Sequence, residues 1–196
     1  MKETRTFDSE IRIERREQGA LIVGHAAVFN LLSENLGGFR EQILPGAFDA
    51  VLDDDVRALF NHDSNWILGR NRAGTLRLKV DERGLVYEID PPDTSAGRDV
   101  TVSLERGDVT QSSFGFRVAP SGDDWAENGD GNIIRTIKKF ARLFDVSPVT
   151  YPAYPDTDVA KRELRAYLAR SGSGRARALQ AKTMQQLCPK PRPRAA

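Results

Sequence analysis

One serine, one histidine and a set of acidic residues supply the side chains that a serine-type hydrolase needs. A serine hydroxyl is a poor nucleophile near neutral pH, so it requires a base within hydrogen-bond reach and a third group that orients the base. The two histidines of the chain are His25 and His62. His62 stands among polar residues at the end of a predicted strand, whereas His25 lies in an apolar run. His62 is therefore the better candidate base.

The candidate nucleophile is Ser113, which lies in a predicted strand at residues 111–118. Apolar side chains alternate from Phe114 onward on one face of that strand, so Ser113 and Gly115 fall on the opposite face. A glycine beside a hydroxyl leaves room for a second backbone or a ligand. Ser112 shares the face of Phe114, so the alternation favours Ser113. The same pattern is also typical of an ordinary surface serine on a half-buried strand.

Three carboxylates are candidates for the orienting group: Asp63, Asp108 and Asp145. Asp63 is adjacent to His62, where the backbone rarely lets one side chain orient the other. Asp145 lies in an otherwise apolar predicted strand, where an ionised carboxylate is costly unless it has a partner. A buried salt bridge with Arg117 or Arg142 would also explain this aspartate. Spacing alone therefore leaves the third position open.

The elements that must position these side chains are mostly short strands. Alternating apolar and polar residues separated by turns predict about eight of them: 5–16, 20–29, 56–62, 74–80, 85–90, 111–118, 132–140 and 141–149. Three helices are predicted, at residues 45–52, 94–106 and 157–169. The polar segment 119–131 is predicted to be a hairpin loop. Hairpin-linked strands at this spacing favour an antiparallel barrel or sandwich.

Length and composition favour one domain that lies in the cytosol. The chain has 196 residues and 39% hydrophobic residues, enough for one core. It has no apolar run of membrane-spanning length and no apolar signal-peptide region after its charged start, so we expect it neither to span a membrane nor to be secreted. A single cysteine, Cys188, and two histidines do not suit a disulfide or a cysteine- or histidine-rich metal site. We expect no cofactor and no metal.

The formal charge of +1 hides an acidic body and a basic tail. No acidic residue follows Glu163, whereas eight basic residues do: Arg165, Arg170, Arg175, Arg177, Lys182, Lys190, Arg192 and Arg194. Removing these eight from the 29 basic residues leaves 21 against 28 acidic ones, a net charge of −7 for residues 1–163. No aromatic residues interleave the tail to stack bases, so nucleic-acid binding is not favoured. We expect one domain at residues 1–169 and a disordered tail at residues 170–196.

Several segments, taken in order, resemble the prohead (capsid maturation) protease family of tailed phages. They cover roughly residues 10–160, and their order and spacing together are more specific than any single motif. The segments are Gly24–Asn30, Ile43–Phe48, Asn61–Asp63, Leu68–Arg70, Gly74–Leu76, Ser113–Phe116 and Asp145–Pro155.

The resemblance implies a serine protease related to herpesvirus assemblin. The implied fold class is α+β, mainly β, with an antiparallel β-barrel surrounded by a few helices. Matched residue by residue, the family's base falls on His62 in Asn-His-Asp and its nucleophile on Ser113 in Ser-Phe-Gly-Phe. The third catalytic position, which is less settled within the family, falls on Asp145 before Val-Ser.

The resemblance also implies where the protein acts and on what. It implies a serine endopeptidase enclosed in the assembling procapsid in the host cytoplasm. Its expected partners are its substrates, the scaffold protein and the scaffolding segment of the major capsid protein, and it often cleaves itself. Homo-oligomerisation and contacts with the portal or procapsid stay open, and the basic tail would aid incorporation or be removed by self-cleavage. The alternatives are a catalytically silent scaffold or capsid-interaction module of the same fold, and a nucleic-acid-binding protein acting through its tail.

Overall fold

The computed structural model of the chain describes residues 2–8, 11–17, 19–151 and 158–171. The chain divides into two compact units, Met1–Asp156 and Thr157–Ala196. All the described strands belong to the first unit, and the described part of the second is a single helix. The expected boundary between residues 169 and 170 stays a prediction, and most of the expected tail lies outside the described residues.

Twelve strands and two α-helices make up the described part of the chain. The strands are β1 Glu3–Asp8, β2 Arg12–Arg16, β3 Gly19–Val28, β4 Phe39–Ile43, β5 Arg57–Phe60, β6 Asp63–Arg70, β7 Leu76–Val80, β8 Gly84–Ile89, β9 Gln111–Val118, β10 Asp123–Glu127, β11 Ile133–Ile137 and β12 Phe140–Val149. The helices are α1 Ser95–Glu105 and α2 Asp158–Ser171, and a short 3-10 helix, Asn71–Ala73, follows β6. The prediction of a mainly β fold with a few helices is confirmed.

The strands form three sheets, with five, four and three strands. Their orders are β1-β9-β12-β5-β6, β2-β3-β8-β7 and β10-β11-β4. Each of these described sheets is open, with an edge strand on either side. Two of the pairings, β12 with β5 and β11 with β4, are parallel. The predicted closed antiparallel barrel is therefore not found in the described part of the chain, and the herpesvirus-protease-like fold is not confirmed.

The barrel prediction failed because it assumed that strands pair with their neighbours in sequence. In the five-stranded sheet, β9 instead lies between β1 and β12, and β12 lies between β9 and β5. These partners are far apart in the chain. Alternation of apolar residues reports which face of a strand is buried, but not which strand lies beside it.

Aromatic side chains fill the core behind β9. The ring of Phe48 lies 5.6 Å from that of Phe114 and 4.5 Å from that of Phe140, centroid to centroid. Phe116 stacks on Phe114 at 4.7 Å. This apolar face of β9 was predicted from the alternation and is confirmed. Because β9 is anchored there, the opposite face of the strand has a fixed position.

Two local predictions need correction, while the second predicted helix is confirmed. Residues 45–54 form consecutive turns instead of the predicted first helix, with Gly46 at a φ of 86°, although Phe48 and Val51 are buried as expected. The segment predicted as a hairpin loop at residues 119–131 contains β10, which pairs with β11. Helix α1 begins after Thr94, whose side chain accepts a hydrogen bond from the Gly97 amide as a helix cap.

A buried cluster of charged side chains joins β1 to the three-stranded sheet. The ion cluster consists of Glu3, Arg5, Glu41 and Arg135, all nearly inaccessible to solvent. Arg135 Nη1 lies 2.8 Å from Glu3 Oε2 and 3.1 Å from Glu41 Oε2, and Arg5 pairs with the same two glutamates at 2.9 and 2.8 Å. Arg135 Nε also pairs with Asp123 at 2.6 Å, so this one guanidinium contacts three carboxylates, and its removal would leave buried negative charges without a partner.

Replacing Arg135 by methionine is expected to lower the free energy of unfolding by about 3–5 kcal/mol, because Glu3 and Glu41 lose a buried counter-ion. Urea unfolding followed by circular dichroism measures the change. Lys138→Met is the control, since Lys138 forms a surface ion pair with Asp124 and should change stability by less than about 1 kcal/mol. Equal stability of the Arg135 variant and wild type would show that the cluster does not fix β1.

Candidate active site

Two strands of the five-stranded sheet, β9 and β12, and the turn between β5 and β6 carry the three residues selected from the sequence. Ser113 lies in β9 and is paired with Ser147 of β12, while Gly115 is paired with Asp145. Strand β12 also pairs with β5, which leads directly into the turn that carries His62. The sheet thus brings together residues that are separated by up to 83 positions in the chain.

His62 lies between the other two side chains. Its Nε2 atom is 2.6 Å from Ser113 Oγ, and its Nδ1 atom is hydrogen-bonded to Asp145 Oδ2. An ionised carboxylate only accepts hydrogen bonds, so Nδ1 carries a hydrogen and donates it in a hydrogen bond to Asp145 Oδ2. In the neutral imidazole, Nε2 is then free to accept the proton of the Ser113 hydroxyl. This arrangement can transfer a proton from a serine that attacks a carbonyl carbon.

The other candidates from the sequence lie elsewhere. Asp63 accepts a hydrogen bond from the Asn65 amide, and Asp108 pairs with Arg106. Arg142 contacts Asp54 at 3.3 Å and does not pair with Asp145 in the described contacts. His25 pairs at 2.9 Å with Asp81, whose other oxygen accepts two amide hydrogens of the turn between β7 and β8. His25 thus connects β3 to this turn, and it has no described contact with Ser113 or Asp145.

The ambiguity between the two neighbouring serines has a structural answer. Ser112 and Ser113 are both fully buried, but they point to opposite faces of β9. The Ser112 hydroxyl is hydrogen-bonded at 2.7 Å to the hydroxyl of Tyr87, whose pKa is raised by burial. The Ser113 hydroxyl is within reach of His62 and of the carbonyl oxygen of Arg5, at 2.8 Å. Of these two neighbouring serines, only Ser113 contacts the imidazole of His62 in the described contacts.

The turn that carries His62 has an unusual backbone. Asn61 and His62 have φ angles of 54° and 58°, and the flanking residues Phe60 and Asp63 are paired across the hairpin. Two consecutive positive φ angles characterise the tight two-residue turn that matches the twist of the strands, and asparagine favours that conformation. The histidine ring is therefore directed by the turn geometry and not by a regular strand.

Asn61 fastens this turn to the end of β12. Its side-chain oxygen accepts a hydrogen bond from the Thr150 amide at 2.8 Å, and its side-chain nitrogen donates to Thr150 Oγ1 at 3.1 Å. Its own amide donates to the carbonyl of Pro148 at 3.1 Å. The turn with His62 and the strand with Asp145 are thus connected independently of the contact between those two side chains.

The Asp145 carboxylate is 2% exposed and has partners at both oxygens. Oδ2 accepts hydrogen bonds from His62 and, at 3.2 Å, from Ser147 Oγ, while Oδ1 forms an ion pair with Lys2 Nζ. Burial opposes ionisation, but the hydrogen bonds and charges of His62 and Lys2 outweigh it and hold the pKa of Asp145 below its usual range. The carboxyl group is therefore ionised at neutral pH.

The space that the sequence predicted beside Gly115 is used by side chains. A Cβ atom at this position would overlap Lys2 Cε and would lie 2.5 Å from Asp145 Oδ1. The missing side chain thus allows Lys2 to reach the carboxylate. The sequence predicted room for a second backbone or a ligand, whereas the group that approaches Gly115 is the side chain of Lys2, just before β1.

Sequence reasoning missed the residues that surround the three selected side chains. Asn61 belongs to the segment Asn61–Asp63 that carries the family resemblance. An asparagine between two predicted strands is also a signal for a tight turn. Ser147 lies two residues after Asp145 in β12. Residues two apart in a strand point to the same face, so the predicted strand already implied that these two side chains are neighbours. Lys2 had no signal, because its contact depends on the long-range pairing of β1 with β9.

The chain belongs to the caudovirus prohead serine protease family, and the match to the family covers residues 7–170. The family resemblance inferred from the sequence is thereby confirmed. The chain is a member of a peptidase family of tailed phages that functions in capsid maturation. No curated protein matches the sequence. No helix in the described part of the chain is long and apolar enough to cross a bilayer.

Among solved structures, the chain is similar to the bacteriophage T4 capsid assembly protease, gp21. The identity is 11% and the TM-score 0.49, and the match covers 78% of this chain and 98% of that one.

Proposed function

We propose that the protein is a serine endopeptidase of procapsid maturation in which Ser113 is the nucleophile, His62 the general base and Asp145 the carboxylate that orients the base. The observation that carries this proposal is the continuous hydrogen-bonded line from Ser113 Oγ through both nitrogens of His62 to Asp145 Oδ2. Membership of a prohead serine protease family supports the same reaction class.

The reaction follows from the direction of the hydrogen bonds. Ser113 Oγ attacks the carbonyl carbon of the scissile peptide bond while its proton passes to His62 Nε2. Asp145 stabilises the imidazolium that forms, and His62 then gives the proton to the leaving amine. A water molecule then attacks the acyl-enzyme while its proton passes to His62 Nε2, and His62 returns this proton to Ser113 Oγ as the ester bond breaks. Every proton transfer in this scheme passes through His62.

The proposed substrates are proteins of the assembling procapsid: the scaffold protein, the scaffolding segment of the major capsid protein, and the protease itself. This part rests on the family's description as prohead proteases. We place the reaction inside the procapsid in the host cytoplasm. The second candidate, a catalytically silent capsid-interaction module, is less favoured because the serine and histidine are present and lie 2.6 Å apart.

Co-expression with the cognate capsid and scaffold proteins tests the proposal. Wild type is expected to shorten at least one of them, and mass spectrometry of the products gives the cleavage site. The Ser113→Ala protein should leave the same partners intact at equal expression. Intact partners with wild type would favour the silent module, and equal shortening with both proteins would reject Ser113 as nucleophile.

Replacing Asn61 by alanine is expected to lower kcat/KM by about tenfold or more, since two side-chain hydrogen bonds are lost at about 1 kcal/mol each and alanine disfavours the left-handed backbone. Asn61→Gly is the matched variant, because glycine accepts the positive φ but lacks the amide. It should recover part of the loss. Peptide hydrolysis and thermal unfolding are measured on the same preparations. Full activity of Asn61→Ala would show that the hydrogen bonds of Asn61 to Thr150 are not needed to position His62.

A further inference from the structure

The segment before and within β1 contacts two of the three proposed catalytic residues. Lys2 Nζ is paired with Asp145 Oδ1, and the carbonyl oxygen of Arg5 lies 2.8 Å from Ser113 Oγ. Both contacting residues precede the region matched by the family, residues 7–170. The contacts are therefore a feature of this chain that its family assignment does not supply.

Lys2 contacts the carboxylate oxygen of Asp145 that does not face His62. Asp145 Oδ2 receives the hydrogen bonds of His62 and Ser147, whereas Oδ1 receives Lys2. A carboxylate that is held at both oxygens cannot rotate about its Cβ–Cγ bond without breaking a contact. Lys2 thus keeps the lone pairs of Oδ2 directed at His62 Nδ1.

The lysine also supplies charge. Asp145 is almost fully buried, and a buried carboxylate without a cation is costly. While His62 is neutral, Lys2 is the cation in contact with this carboxylate among the described residues. Once His62 takes the serine proton, Asp145 faces two cations. Lys2 therefore offsets part of the negative charge that Asp145 presents to His62.

The position of Lys2 is defined by its neighbours and not by its own side chain, which is 38% exposed. The next residue, Glu3, and Arg5 belong to the ion cluster with Glu41 and Arg135. Strand β1 also pairs with β9 from Glu3 onward. Gly115 leaves the space through which the lysine reaches the carboxylate. Three independent features thus direct Lys2 to Asp145.

We propose that Lys2 is a positioning residue of the active site, which holds the Asp145 carboxylate against His62 and offsets part of its negative charge. The inference rests on the proposed function of Asp145. In the described contacts, Lys2 is paired with Asp145 and with neither Ser113 nor His62, so we infer that it acts through Asp145. The nearby Arg142 is paired with Asp54, and Arg5 is paired within the ion cluster. The carboxylate of Asp63, next to His62 in sequence, accepts hydrogen bonds from Asn65.

Replacing Lys2 by methionine is expected to move the acidic limb of the kcat/KM profile to higher pH by on the order of half a pH unit, because an unopposed Asp145 favours protonated His62. At pH values below the limb, kcat/KM falls about threefold as a consequence. Lys2→Arg should restore the wild-type profile, since it retains the charge. Lys138→Met, which removes a lysine paired with Asp124, should leave the profile unchanged.

A second measurement needs no substrate. The titration of the His62 ring, followed by NMR with His25→Gln for assignment, should shift to higher pH in Lys2→Met and return in Lys2→Arg. A profile and a titration that are both unchanged in a folded Lys2→Met protein would overturn the inference. An inactive wild type with a shifted titration would contradict the proposed function while supporting the contact of Lys2 with the pair. These two failures are thus distinguishable.

Discussion

The Ser113→Ala protein is expected to lose at least about 10⁴-fold in kcat/KM for a peptide that spans the cleavage site, because removing a nucleophile leaves only the contribution of binding and charge stabilisation. The variant should fold normally. Alanine fills nearly the same space, and the core face of β9 is formed by Phe114 and Phe116. Steady-state hydrolysis of a fluorogenic peptide measures the loss.

The neighbouring serine provides a matched control. Ser112 is as deeply buried as Ser113, but its hydroxyl binds that of Tyr87. Ser112→Ala leaves a buried tyrosine hydroxyl without this partner, which should cost about 1–3 kcal/mol of stability and leave kcat/KM within about threefold of wild type. Activity lost in Ser112→Ala and kept in Ser113→Ala would reverse the assignment.

Replacing Asp145 by asparagine is expected to lower kcat by about 10³–10⁴-fold, because the amide no longer fixes the imidazole tautomer with Nε2 as the acceptor. Lys2 also loses its counter-ion. The exposed Asp108→Asn is the control, since Asp108 pairs only with Arg106 in the described contacts, and its kcat should equal that of wild type. A kcat within tenfold of wild type for Asp145→Asn would remove this residue from the catalytic arrangement.

The free energy of unfolding of Asp145→Asn, compared with that of wild type, should also depend on pH in a direction that the pKa of Asp145 determines. The pKa of Asp145 is lower in the folded protein than its usual value. Its ionised form therefore contributes stability at pH values above about 4, and this contribution is lost as the pH falls through the lower folded-state value. The stability difference between wild type and Asp145→Asn should shrink in acid. Urea unfolding at neutral and acidic pH measures this change.

The faces of the strands were predictable, but their neighbours were not. Alternation correctly assigned Phe114 and Phe116 to the core and Ser113 to the other side, because side chains of a strand alternate by geometry. The pairing of β12 with both β9 and β5 was not predictable in this way. It depends on the packing of the whole sheet, and it is this pairing that brings Asp145 to His62.

Local conformation set a second limit. Pro45 and the apolar spacing after it favoured a helix, yet Gly46 adopts a positive φ and the segment forms turns that still bury Phe48. His62 was correctly expected at a strand end, but its left-handed backbone was not, because the strand was predicted to continue as far as His62. The asparagine before it carried that information.

The family resemblance and the residue pattern contributed different parts of the proposed site. The pattern left Asp63, Asp108 and Asp145 open, and the resemblance selected Asp145. The structure brings Asp145 into hydrogen-bond contact with His62. Neither the pattern nor the resemblance indicated Lys2, because a single lysine near the start of a chain has no distinguishing sequence context.

Covalent labelling tests the central claim most directly. A fluorophosphonate probe reacts with an activated serine hydroxyl, and peptide mapping by mass spectrometry locates the adduct. We predict one adduct per chain, on Ser113, which is retained in Ser112→Ala and lost in His62→Ala. An adduct on a different residue, or no adduct on Ser113 in a preparation that cleaves its capsid substrate, would contradict the account.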